Sequence, residues 1–272
     1  MSGPSRQGLV AIMDHVQPGG AVSSGVGASA SRVPVVSVAI GAAWLLAVGA
    51  QLTGQAALLH HHTLIEGGVP LWMAFLLFLL GWQVMIAAMM LPASLPSIAA
   101  FRAAASGDLR SHALAAFLSS YALAWSVFGL LAFAGDDILH HVVDGTPWLA
   151  DRPWLIEASI LALAGAYQFS PFKRRGLAIC RHPAALAQGG EVVRRGSFRL
   201  GLDHGLACLG SSWALMLLVF AEGFANLGWM AALAAVMVYE ATGRHGQRVA
   251  PAVGVCLVFA AVAVVSGGGL SG

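Results

Sequence analysis

Soft donor atoms recur at helical spacing in this sequence. His204, Cys208 and Ser211 stand at offsets of four and seven residues, which return to nearly the same direction when each residue advances by about 100°. An imidazole and a thiol one turn apart make half of a metal site, and their softness suits copper or zinc better than calcium or magnesium. Met216 follows on the same segment. Trp82, Met85 and Met89 fall within roughly a third of a turn of one another, with Met90 alongside. Asn226, Met230, Met237 and Glu240 lie within about 40° of one direction on a further segment. Harder ligands gather elsewhere. His60, His61, His62 and Glu66 form one group, and Asp136, Asp137, His140, His141 and Asp144 another, a mixture of imidazole and carboxylate suited to a divalent ion.

Each pattern has a structural reading beside the chemical one. Methionine is an adaptable filler of cores. A histidine in a membrane helix can bond to a neighbouring helix. Glu240 has Arg244 four residues on for a partner if its helix continues, and water-facing loops contain His and Asp in any case.

The elements that must carry these residues are membrane helices. Hydrophobic residues make up 58% of the 272-residue chain and charged ones only 10%, where a soluble domain has about a quarter charged. The mean hydropathy is +0.78. A net charge of +2 with no basic face excludes nucleic acid as a partner and leaves the lipid bilayer as the expected surroundings. Three cysteines without a CxxC pair exclude a disulfide framework and a zinc knuckle. The chain holds no P-loop, GxSxG, HExxH or Rossmann fingerprint, and no nucleophile, base and orienter that would make it an enzyme.

Residues 1–32, rich in Gly, Ser and Ala, read as a flexible N-terminal tail, 33–266 as a transmembrane helical domain, and 267–272 as a Gly-rich C-terminal end. The fold class is all-α, a polytopic transmembrane bundle of about seven spans, since about 20 apolar residues cross about 30 Å of hydrocarbon. The spans run over 33–59, 69–96, 112–134, 153–168, 200–220, 224–239 and 249–265. Pro92 and Pro96 should kink or stop the second span unless neighbours satisfy the carbonyls they free. Asp136 to Asp151 read as an acidic loop, and Lys173 to Arg199 as the most basic segment. With seven spans and a cytoplasmic amino terminus, thirteen of the fourteen Lys and Arg fall inside and only Arg152 outside. That places the chain in a bacterial inner membrane with its C-terminus outside, and both histidine groups on the outer face.

Several stretches in order resemble the bacterial DUF2182 family of predicted metal-binding integral membrane proteins. They are Trp82 to Pro92, Gly165 to Lys173, Cys180 to Pro183, Gly201 to Gly210 running into Trp213 to Met216, and Asn226 to Met230 leading to Glu240. The resemblance implies a metal-binding membrane protein linked to copper handling. The chain departs from the family pattern at three thiols. Gly176 stands where members carry a cysteine four residues before the one matching Cys180, and Ser211 and Ser212 stand where members carry paired cysteines.

Residues and resemblance together lead to a protein that binds a soft metal, copper as Cu(I), inside the bundle for delivery or transport. The expected ligands are Met85, Met89, Met90, His204, Cys208, Met216, Met230 and Glu240, with His60, His61, His62, His140 and His141 as a collecting patch. A metal-donor or metal-acceptor protein is the expected partner. The other reading is a membrane assembly or structural subunit of a larger complex that has lost metal binding, and small-molecule transport along the same polar faces stays open.

Overall fold

The computed structural model describes residues 33–54, 70–105, 110–182, 196–222 and 226–268. Among the described residues nine helices follow one another: α1 (Pro34–Leu52), α2 (Leu71–Ala104), α3 (Arg110–Asp144), α4 (Pro147–Ala150), α5 (Pro153–Tyr167), α6 (Pro171–Arg181), α7 (Ser197–Glu222), α8 (Leu227–Thr242) and α9 (Gly246–Gly268). The fold is all-α, and the helices answering to each of the seven expected spans are present. Five of them, in α1, α2, α3, α7 and α9, are long and apolar enough to cross a membrane. The fourth and sixth, α5 and α8, have 15 and 16 residues, about 23 Å of rise against about 30 Å of hydrocarbon.

Helix α7 is the central pillar. Of its most apolar stretch 67% is buried, against 11% for α1 and 22% for α9, and it packs on α3, α5, α6 and α8. Close approach to α3 requires Gly201, where a Cβ would run into the Phe117 carbonyl and the Ser120 hydroxyl. Between α2 and α3, the Trp82 indole donates to the Trp125 carbonyl at 2.8 Å, and Gln83 Nε2 donates to Ser126 Oγ at 2.7 Å. Of the hydroxyls on α3, those of Ser126 and Tyr121 reach a neighbouring helix, while Ser119 and Ser120 bond back to their own helix.

Pro92 and Pro96 do not end the second span; α2 runs on to Ala104 with both prolines inside it. Proline at 92 has no N–H for the Ala88 carbonyl. The Trp44 indole of α1 donates to that carbonyl at 3.0 Å, so the freed acceptor is satisfied by an adjacent helix.

The expected acidic loop is also helix over most of its length. Helix α3 extends to Asp144, which puts Asp136, Asp137, His140 and His141 on its last turns rather than on a mobile connection. Its 35 residues reach roughly 52 Å, well beyond a bilayer's hydrocarbon thickness. Hydropathy marks where a helix leaves apolar surroundings and not where its hydrogen bonds stop. The expected basic segment contains α6, a helix with one buried and one exposed face.

Pairings along the bundle fix its polarity. Trp82, Ser94 and Phe101 of α2 meet Trp125, Tyr121 and Phe117 of α3 in reverse order. Gly201 and Gly205 of α7 meet Phe117 and Tyr121 of α3 in the same order. The end of α2, the start of α3, the end of α5, α6, the start of α7, the end of α8 and the start of α9 therefore share one end of the bundle. Every described Lys and Arg except Arg152 belongs to that end.

Candidate metal centre

Three helices meet at Cys208. Its Sγ lies 3.2 Å from the Tyr121 hydroxyl of α3. Ser94 Oγ of α2 lies 3.2 Å from the same hydroxyl and 4.0 Å from the sulfur. All three side chains are buried, so the thiol sits among hydroxyl groups in an otherwise apolar interior. Met90 precedes Ser94 by one helical turn, on the same side of α2.

A fourth helix brings a second thiol. Cys180 of α6 lies beside Cys208 and Ser211 in the same buried cluster, and both cysteines are free and buried. Cys180 was not among the residues that spacing singled out, because it lies in the basic stretch between spans. The available signal was the α6 pattern itself: Lys173, Gly176, Leu177 and Cys180 recur every three or four residues and form its buried face.

Gly176 brings α6 directly onto α7. A Cβ there would sit 2.7 Å from the Ala207 carbonyl oxygen and 2.9 Å from the Ser211 amide nitrogen. The α6 backbone rests directly on α7, where a thiol would have no room. Ser211 and Ser212 lie at the same junction, their hydroxyls 3.2 Å apart and that of Ser211 donating to the Cys208 carbonyl at 2.8 Å. Position 176, Cys180, Cys208, Ser211 and Ser212 thus converge between α6 and α7.

His204, one turn before Cys208, is 2% exposed. Its ring lies between those of Phe117 and Tyr121, at centroid distances of 5.8 and 5.7 Å and interplanar angles of 29° and 24°. Its Nε2 is buried with no hydrogen-bond partner among the described residues. A buried nitrogen lone pair or N–H without a partner is unfavourable, and a soft metal ion is one group that could use it.

Glu240 is engaged from an unexpected side. Its Oε2 accepts from Lys173 Nζ at 2.7 Å, not from Arg244, and Lys173 also donates to the Ser211 carbonyl at 2.8 Å. The two side chains are 2% and 1% exposed. Burial pulls the Lys173 ammonium below its ordinary value while the Glu240 carboxylate pulls it back. Glu240 Oε1 has no partner among the described residues. Arg244 was favoured by sequence separation, but α8 ends at Thr242, which removes the i, i+4 geometry.

The methionines are gathered but not individually posed. Met85, Met89 and Met90 of α2, Met216 of α7, and Met230 and Met237 of α8 belong to one buried cluster with Cys180, Cys208, Tyr121 and Trp82. Asn226 leaves the expected polar face of α8 to cap it, accepting from the Trp229 amide at 3.1 Å. His140 and His141 lie five turns of α3 beyond Tyr121, roughly 29 Å along its axis. Each donates from Nδ1–H to a carbonyl of its own helix, those of Asp136 and Asp137, at 2.8 Å. His60, His61 and His62 lie outside the described residues. Among the described residues no three His, Cys, Asp or Glu side chains form a group that could hold a metal ion.

No curated protein and no solved structure matches the chain. A family described as PpoB2, copper chaperone, matches residues 79–264, a stretch that takes in Cys180, Cys208 and all the methionines named above. The chain therefore belongs to the PpoB2 family of copper chaperones.

Proposed function

We propose that this chain is an integral membrane copper chaperone that carries Cu(I) between Cys180 of α6 and Cys208 of α7 and passes it to a partner protein. The observation that carries the reading is the meeting of two buried thiols from different helices inside a methionine-rich cluster. Thiolate and thioether donors select Cu(I) over hard ions. Copper is cargo here, and binding it displaces the thiol protons, since thiolates are the ligands.

Met90 lies one turn from Ser94 on the same side of α2 and offers a thioether. Tyr121 and Ser94 steady the Cys208 sulfur by hydrogen bonding. His204 Nε2 offers a further donor one turn along α7, toward the basic end. Met85, Met89, Met216 and Met230 extend the soft lining away from the thiols, and Glu240 enters through its unpartnered oxygen. His140 and His141, at the opposite end, serve with His60, His61 and His62 as a collecting patch. In orientation, the basic end faces the cytoplasm and the C-terminus lies outside a bacterial inner membrane, as the placement of positive charge favours.

The test is metal analysis of detergent-purified protein loaded anaerobically with Cu(I). Wild type retains stoichiometric copper, Cys208→Ser loses most of it, and Cys180→Ser and Met90→Ala lose part. Equal copper in wild type and in the Cys180→Ser, Cys208→Ser double variant would overturn the site and favour a non-catalytic assembly subunit.

A further inference from the structure

Helix α6 presents two chemically different faces. Lys173, Gly176, Leu177 and Cys180 are buried against the bundle. The other face exposes Phe172 at 66% and Ile179 at 58%, with Arg174 and Arg175 between them. Arg199 at the start of α7 and Arg248 at the start of α9 are exposed at the same end of the bundle.

An exposed phenyl and an exposed isoleucyl side chain beside guanidinium groups would be unfavourable against plain water, and a soluble acidic partner would answer only the charge. A lipid boundary answers both. Amphipathic helices with Arg on one side and aromatic or aliphatic groups on the other lie at the headgroup boundary, and anionic lipids concentrate on the cytoplasmic leaflet. Helix α7, on which α6 rests, is long and apolar enough to cross a bilayer, and α6 belongs to the basic end of the bundle, the end that faces anionic headgroups in the orientation proposed above.

We propose that the exposed face of α6, with Arg199 and Arg248, binds the headgroups of anionic phospholipids while Phe172 and Ile179 enter the acyl boundary. The arginines supply charge and paired N–H donors for phosphate, and the two apolar side chains fix the helix against the surface. Seated this way, α6 is held from both faces, and Cys180 on its inner face is held against Cys208. The proposal rests on the membrane part of the reading above and not on copper.

Retention of the full chain in washed membranes tests that membrane reading by itself; release by alkaline carbonate would overturn it. For the lipid surface, thermal unfolding is followed in a mild detergent with added phosphatidylglycerol or phosphatidylcholine. For wild type and for Arg152→Gln, at the opposite end, phosphatidylglycerol raises the midpoint by about 3 °C or more over phosphatidylcholine. In Arg174→Gln, Arg175→Gln that difference disappears, and Phe172→Ser halves it. Equal shifts with the two lipids, or an undiminished difference in the double arginine variant, would overturn the proposal. So would an equal shift from glycerol phosphate, which marks a free-anion site, or from polyglutamate, which marks an acidic protein surface.

Discussion

The Tyr121 hydroxyl and the Cys208 sulfur lie 3.2 Å apart although 87 residues separate them. The contact ties α3 to α7 at the thiol, and Ser94 of α2 closes it from a third side. A thiolate at position 208 would have the phenol as its donor, because a thiolate can only accept. Tyr121→Phe keeps the ring beside His204 and removes the donor. It should lower stability by about 1 kcal/mol and speed Cu(I) loss to a chelator several-fold, measured by stopped-flow transfer from loaded protein; an unchanged rate would mean that the hydroxyl only serves packing.

Gly176 separates room for a thiol from room for a helix. Because a Cβ there meets the Ala207 carbonyl at 2.7 Å and the Ser211 amide at 2.9 Å, both of them backbone, Gly176→Cys should destabilise by about 1–3 kcal/mol. Ser211→Cys places a thiol at the same junction where a hydroxyl is already accommodated, and should slow copper loss at little expense in midpoint. Thermal unfolding together with chelator competition on the two variants checks both halves.

The Lys173–Glu240 pair, 2.7 Å apart and almost wholly buried, should respond asymmetrically to mutation. Lys173→Met leaves a buried carboxylate without its partner and should destabilise by about 3–5 kcal/mol, while Lys173→Met with Glu240→Leu recovers most of that. A double-mutant cycle in denaturant or heat reads the coupling; additive losses would show that the pair is not the source.

The Trp44 indole and the Ala88 carbonyl, 3.0 Å apart, make a prediction about the prolines. Trp44→Phe retains an aromatic ring but returns the carbonyl that Pro92 freed to an unsatisfied state, and should destabilise by about 1–3 kcal/mol. With Pro92→Ala in the background the penalty should shrink, because residue 92 then supplies its own N–H. An undiminished penalty in the double variant would assign the loss to packing alone.

The amino-acid order by itself determined the all-α class, where each of the seven apolar helices lies, and the shared face of His204, Cys208 and Ser211. These follow from hydropathy and from a period of 3.6, which are properties of one segment at a time. It also pointed to the copper-related family through short motifs spread from Trp82 to Glu240. Five helices, not seven, proved long and apolar enough to cross a bilayer by themselves, since α5 and α8, like the apolar runs that mark them, span only 15 and 16 residues.

Only the tertiary structure decided which faces meet. Cys180 lies in a stretch so basic that local reading assigned it to a connection, yet α6 folds with that thiol inward because Gly176 lets its backbone rest on α7. Glu240 takes Lys173, 67 residues away, over the nearby Arg244 because α8 stops before the i+4 turn is complete. Pro92 stays inside a helix because an indole from another helix supplies the missing donor. In each case the deciding partner is distant in sequence, and a buried polar group is satisfied by whatever the packing brings within hydrogen-bonding reach.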